Sequence, residues 1–191
     1  AKLVQLGMTE EQYLQRRISS AKTLAVYSIM AALRSSRVAL VEHIIGTRKA
    51  IEKFSIKNFT KTDSGNLRGA ILQLKVPENN LSIDLPEWLS DEDKHRAVCQ
   101  SDIKTYDKVL QLVMKLSDRR EQAKIKLLRK LSEDHHLALA FDSRPITLAY
   151  LRMQMEQDEH EAAVLMATGD ATTNRKKFIE SFELGSSSSK A

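Results

Sequence analysis

The side chains best suited to proton or metal chemistry are five histidines, one cysteine and a scatter of acids. Their spacing gives them little to work with. His135 and His136 are adjacent, so they point to different sides of any helix or strand, and His43, His95 and His160 stand far off in sequence. A zinc site needs ligands at short, convergent spacings. Glu156, Asp158, Glu159 and Glu161 read as a solvated turn rather than as an acid–base pair. Cys99 has no second cysteine to pair with and reads as a packing residue. A phosphate loop would need a glycine-rich stretch ending in Gly-Lys-Ser/Thr, and neither that nor a dinucleotide fingerprint occurs.

What remains is a set of residues suited to binding phosphate oxygens: Ser143-Arg144, Thr168-Gly169-Asp170 and Thr172-Thr173. Hydroxyls, a guanidinium and a backbone opened by glycine are the donors that phosphate accepts from. The first follows a continuous apolar run, Leu137-Ala138-Leu139-Ala140-Phe141, the second follows another, Ala162 to Ala167, and Thr172-Thr173 begins the helix after it. Such runs suit strands covered on both faces. Ligands of open parallel sheets bind beyond the carboxyl ends of the strands, where helix N-termini offer free N–H groups. The competing reading is that these residues are ordinary caps and turns.

The elements that would position these groups follow from periodicity. Thr9-Glu10-Glu11-Gln12 has capping-box spacing and opens a long helix whose stripe includes Leu14, Ile18, Ala25, Ile29 and Leu33. Ser35-Ser36 interrupts it and caps a shorter helix carrying Val38, Leu40, Val41, Ile44 and Ile45, which Gly46 terminates; a third helix runs from Thr47 to Ser55. Residues 58–89 hold turn chemistry at Ser64-Gly65-Asn66, Pro77 and Pro86, and read as an irregular insertion with one short helix near Leu67–Leu74. Ser90 opens a long helix with Val98, Tyr106, Val109, Leu110, Val113 and Leu116 on its apolar face. Ser117-Asp118 caps the next, with Ala123, Leu127, Leu128 and Leu131 on one side. Arg119, Arg120, Lys124, Lys126, Arg129 and Lys130 occupy its other side, which reads as a solvated face. Strand, helix from Pro145, strand, and a last helix with Phe178, Ile179 and Phe182 then imply a parallel pair with a right-handed crossover.

The expected fold is therefore mainly α with a C-terminal α/β portion. Its divisions are a helical region at 1–57, the insertion at 58–89, long helices at 90–134 and an incomplete α/β portion at 135–191. Scarce glycine (6) and proline (3) agree with helix, and 42% hydrophobic residues suffice for a core. A single cysteine fits a reducing compartment, and no run of the length needed to span a bilayer appears, so the expected location is intracellular. A net charge of +5 permits nucleic-acid contact without arguing strongly for it.

At Asp118 to Arg144 the chain resembles the beginning of the second RecA-like lobe of SWI/SNF-type helicase-like ATPases. There a helix with a lysine and a leucine stripe (Lys124, Leu127, Leu128, Leu131) precedes a strand ending in Phe141 and, beyond it, Ser143. The likeness continues through Leu165 and Gly169 to Arg175, Phe178, Phe182 and Gly185, and Leu33 to Leu40 resembles the helices that join the two lobes. Asp142 departs from the pattern, which more often has Ser-Gln after the phenylalanine. The resemblance implies a piece of an ATP-driven translocase of double-stranded DNA. Ser143, Arg144, Gly169, Thr172 and Thr173 would touch DNA phosphates without reading sequence, while Phe141, Arg175 and Phe182 would be structural. ATP and Mg²⁺ would belong to the parent protein, whose remaining lobes would be this segment's partners. The segment lacks the phosphate loop, the acidic motif and the arginine fingers that hydrolysis needs. The alternative is a helical protein–protein interaction module without enzymatic activity.

Overall fold

The computed structural model describes residues 7–61, 65–157 and 164–167. Its helices are α1 (Glu10–Ser35), α2 (Arg37–Ile45), α3 (Thr47–Phe54), α4 (Leu67–Leu72), α5 (Glu87–Ser90), α6 (Glu92–Met114), α7 (Arg119–Asp134) and α8 (Pro145–Glu156). The capping box at the start of α1 forms as the spacing predicts. Gln12 N–H donates to Thr9 Oγ1 at 3.3 Å, and the Gln12 side-chain carbonyl accepts from Thr9 N–H at 3.2 Å.

One residue separates α1 from α2. Ser36 is extended, yet its N–H still reaches Ala32 O at 3.1 Å, and its Oγ accepts from Ala39 N–H at 3.0 Å. Ser36 thus ends one helix and caps the next. Gly46 does the same between α2 and α3 with a φ of 94°, which an L side chain rarely adopts. Two sharp breaks make α2 the centre of the fold, in contact with α1, α3, α4, α6 and α8. Val38, Ala39, Leu40, Val41, Ile44 and Ile45 are all buried on it. A helix apolar all round belongs in a core. Ile146, Ala149, Tyr150 and Met153 of α8 and Val113 of α6 close over it.

Within 58–89 the described residues include α4, capped by Asn66, whose Oδ1 accepts from Gly69 N–H at 2.8 Å. Asn79 organises the rest, accepting from Leu81 N–H at 3.0 Å and donating to Ile83 O at 2.9 Å. Ser82 N–H then ties the loop to Glu10 at the start of α1, at 2.6 Å. Asp91 rather than Ser90 caps α6, accepting from Lys94 N–H at 2.9 Å.

The apolar faces of α6 and α7 differ from expectation. The buried side of α6 is His95, Cys99, Ile103 and Val113, with Tyr106 and Leu110 packed between, while Val98 and Leu116 are exposed. On α7 the buried positions are Glu121 and Ile125, and Leu127 faces out. In both helices a polar side chain with a specific hydrogen bond takes a buried place that apolar periodicity alone assigns elsewhere.

The α/β portion is the larger correction. No strand or sheet occurs among the described residues, so the expected parallel pair at 135–191 is absent there. Leu137, Leu139 and Phe141 are 50%, 57% and 90% exposed. A run without helical hydrogen bonds needs partners for its N–H and C=O groups wherever it is buried, and no strand among the described residues supplies them. The second run, described at 164–167, is likewise not a strand. Val164 and Met166 rest on the helical core while Leu165 is exposed. The helix beginning at Pro145 is present, and the last predicted helix lies outside the described residues.

Candidate functional site

A buried cluster of hydroxyls forms where the α1–α2 break meets α7 and α8. Ser36, Thr147 and Ser35 stand in line, with Ser36 Oγ 2.8 Å from Thr147 Oγ1 and Thr147 Oγ1 2.5 Å from Ser35 Oγ. Ser35 Oγ donates to Asp142 Oδ1 at 2.7 Å. Each hydroxyl has one proton. Because Ser35 gives its proton to the carboxylate, Thr147 donates to Ser35 and Ser36 donates to Thr147. The chain therefore runs in one direction, from Ser36 to Asp142.

Charged groups complete the cluster. The ammonium of Lys124 on α7 donates to the carbonyl of Ser35, in the last turn of α1, where a cation also suits the helix dipole. Glu121, buried on the same helix, accepts from Arg37 N–H at 2.9 Å and so satisfies an early free donor of α2. The Arg37 guanidinium reaches Leu116 O at 2.7 Å and Tyr150 Oη at 3.4 Å, and lies 5.4 Å from the centre of the Phe54 ring. Phe54 in turn meets Tyr150 edge-on at 5.7 Å.

The chemistry of this arrangement is fixation. Its hydroxyls are buried, and each is hydrogen-bonded within the cluster. What it fixes is the approach to α8. Asp142 Oδ1 also accepts from Arg144 N–H at 2.8 Å, holding the turn that carries Ser143 and Arg144. Arg144 is the N-cap position of α8 and Pro145 follows it in the first turn.

Of the expected phosphate contacts, Ser143 is exposed and Arg144 half-buried, and the two sit side by side on this braced turn. Phe141, expected inside, is exposed. Gly169, Thr172, Thr173, Arg175 and Phe182 lie outside the described residues. His43 on α2 feels Arg144. Its pKa is lowered from 6.5, first by burial, then by the Arg144 charge, against an upward pull from Glu42.

Of the remaining polar candidates, His135 and His136 are exposed, and Asp158, Glu159, His160, Glu161, Thr168 and Asp170 lie outside the described residues. Cys99 is buried with Sγ 3.8 Å from His95 Nε2, and His95 Nδ1 is 3.1 Å from Trp88 O, which joins α5 to α6. Glu156 pairs with Arg152 at 3.2 Å. Among the described residues no group of His, Cys, Asp and Glu is arranged to hold a metal ion, and no helix is long and apolar enough to cross a membrane.

The members that sequence reasoning left unassigned are Glu121 and Thr147, and Lys124 was assigned to a solvated face. Lone hydroxyl, acidic and basic residues inside amphipathic helices carry no mark of where they point. The one legible signal was Ser35-Ser36, which the sequence shows as a helix break but not as a meeting point. Comparison of the chain with protein-family models, with curated proteins and with solved structures finds no match.

Proposed function

We propose that this chain is a helical segment of an ATP-driven translocase of double-stranded DNA of the SWI/SNF type, supplying sequence-independent phosphate contacts and hydrolysing no ATP by itself. The observation that supports this reading is a convergence. Two of the stretches that carry the resemblance, Leu33–Leu40 and Asp118–Arg144, lie far apart in sequence. They meet in one cluster through Ser35 and Arg37 on one side and Glu121, Lys124 and Asp142 on the other. Helices that join two lobes of a motor must be fastened where the second lobe begins, and a buried directional hydroxyl chain is a rigid fastening.

In this reading Ser143 and Arg144 face one DNA strand, presented by the turn that Asp142 holds. The exposed Leu137–Phe141 run is apolar surface that the rest of the parent would cover. ATP and Mg²⁺ would be held by other segments of that parent, and its DNA would place it in the bacterial cytoplasm or the eukaryotic nucleus.

The test is a titration of the chain with fluorescent duplex DNA. Expected are a dissociation constant in the micromolar range or weaker, equal affinity for scrambled sequences and steep loss with added salt. Ser143→Ala combined with Arg144→Gln should weaken binding further on every sequence. Sub-micromolar, sequence-selective binding contradicts the reading, and so does no binding at low salt, which would favour the helical protein-binding module instead.

A further inference from the structure

The last turns of α1 are anchored by Ile29, Ala32, Leu33 and Ser35, which pack inward. Its other side is bare. Leu24 and Tyr27 are 64% and 65% exposed, and Val26 and Met30 are exposed beside them. Two shallow hollows lie along this side. One is lined by Ser19, Ser20, Thr23, Leu24 and Tyr27, the other by Lys22, Thr23, Val26, Tyr27, Met30 and Arg34. They share Thr23 and Tyr27, so they form one continuous face centred on the tyrosine ring. From Ser19 to Arg34 it runs for about 22 Å at the helical rise.

The charge on this stretch has one sign. Between Gln12 and Val41 the sequence contains no Asp or Glu, while Arg16, Arg17, Lys22, Arg34 and Arg37 are all basic. Lys22 and Arg34 stand on the rim of the face itself. An apolar centre with a wholly basic rim is complementary to an apolar ridge flanked by carboxylates.

We propose that this outer face of α1 is a docking site for an acidic amphipathic helix of a protein partner. Two other occupants fit less well. A second copy of the chain would bring basic rim against basic rim, with no acid in the stretch to relieve it. Nucleic acid would need cations at the centre of the face, where Leu24, Val26, Tyr27 and Met30 stand instead. The proposal stands apart from the translocase reading, since it uses neither Ser143 nor Arg144.

The experiment uses a labelled synthetic amphipathic helix of about five turns, with leucine at its a and d positions and glutamate flanking them. Controls are the same peptide with lysine in place of glutamate, and a duplex DNA. The glutamate peptide should bind at least about tenfold more tightly than the lysine peptide, a difference of about 1.4 kcal/mol. Tyr27→Ser should abolish that binding, and Lys22→Glu with Arg34→Glu should invert the preference. All three positions are exposed, so the variants should keep the unfolding midpoint of the parent chain. Equal binding of the two peptides, or glutamate-peptide binding untouched by Tyr27→Ser, overturns the proposal. Competition by duplex DNA that is itself lost in Tyr27→Ser assigns the face to nucleic acid and also overturns it. Concentration-dependent dimerisation abolished by Tyr27→Ser assigns it to a second copy, with the same consequence.

Discussion

Two apolar stretches of this chain meet opposite fates. Val38 to Ile45 on α2 is buried almost completely, at the centre of the molecule. Leu137 to Phe141 is as apolar in sequence and stands in solvent. The difference lies in the backbone. A helix closes its own hydrogen bonds, so α2 can be surrounded by side chains from any direction. An extended run leaves every second group needing a neighbour, and until one is supplied its side chains cannot be buried without stranding its amides. Apolar content therefore says that a segment is to be covered, and hydrogen bonding decides whether its own chain can cover it.

The sharpest way to break this comparison is to truncate one residue in each stretch. Ile44→Ala should lower the unfolding free energy by about 2–5 kcal/mol, because a fully buried side chain leaves a cavity. Phe141→Ser should change it by no more than about 0.5 kcal/mol. Denaturant unfolding of both variants checks this. Similar losses in the two would mean that Phe141 is packed and the contrast false.

The next effect concerns the cluster that joins the two regions. Thr147→Val keeps the shape but strands the hydroxyl of Ser36, and should cost about 1–3 kcal/mol, whereas Thr147→Ser should restore most of it. A larger loss in Thr147→Ser than in Thr147→Val would point to methyl packing rather than to the hydroxyl chain. A smaller effect belongs to the far end of α1, where Thr9→Ala should cost about 1 kcal/mol. Faster amide exchange at Gln12, with none in α2, would show it.

The smallest effect is the titration of His43, which links α2 to the Arg144 turn. Burial and Arg144 lower its pKa below the 6.5 of an unfolded chain. Below that value the unfolded state binds more protons than the folded one, so His43 contributes stability at pH above 6.5 that is lost as the pH falls towards its folded pKa. Arg144→Gln should move the NMR titration midpoint of His43 upward, though burial still holds it below 6.5. An unchanged midpoint would place Arg144 away from α2.

Much of the helical part was legible because its signals are local. The Thr9–Gln12 box, the break at Ser35-Ser36 and the stop at Gly46 each need only a few neighbouring residues, and each appears where its chemistry puts it. The buried face of α6 was not legible at its first turns, since His95 and Cys99 are inside through contacts with Trp88 O and with each other. The cluster was half legible. Ser35 and Ser36 announce a break, but nothing local shows that Thr147, more than a hundred residues later, completes it. No strand forms at Leu137–Phe141, because apolar composition does not show which segment would take up its backbone groups.

For a segment of a DNA translocase, as proposed, the coding sequence on either side should carry a phosphate loop and an acidic metal-binding motif upstream, and a Gln-x-x-Gly-Arg-x-x-Arg type motif downstream; sequencing it is the decisive measurement. A reading frame extending in both directions without these motifs, or one confined to this segment, would contradict the proposal.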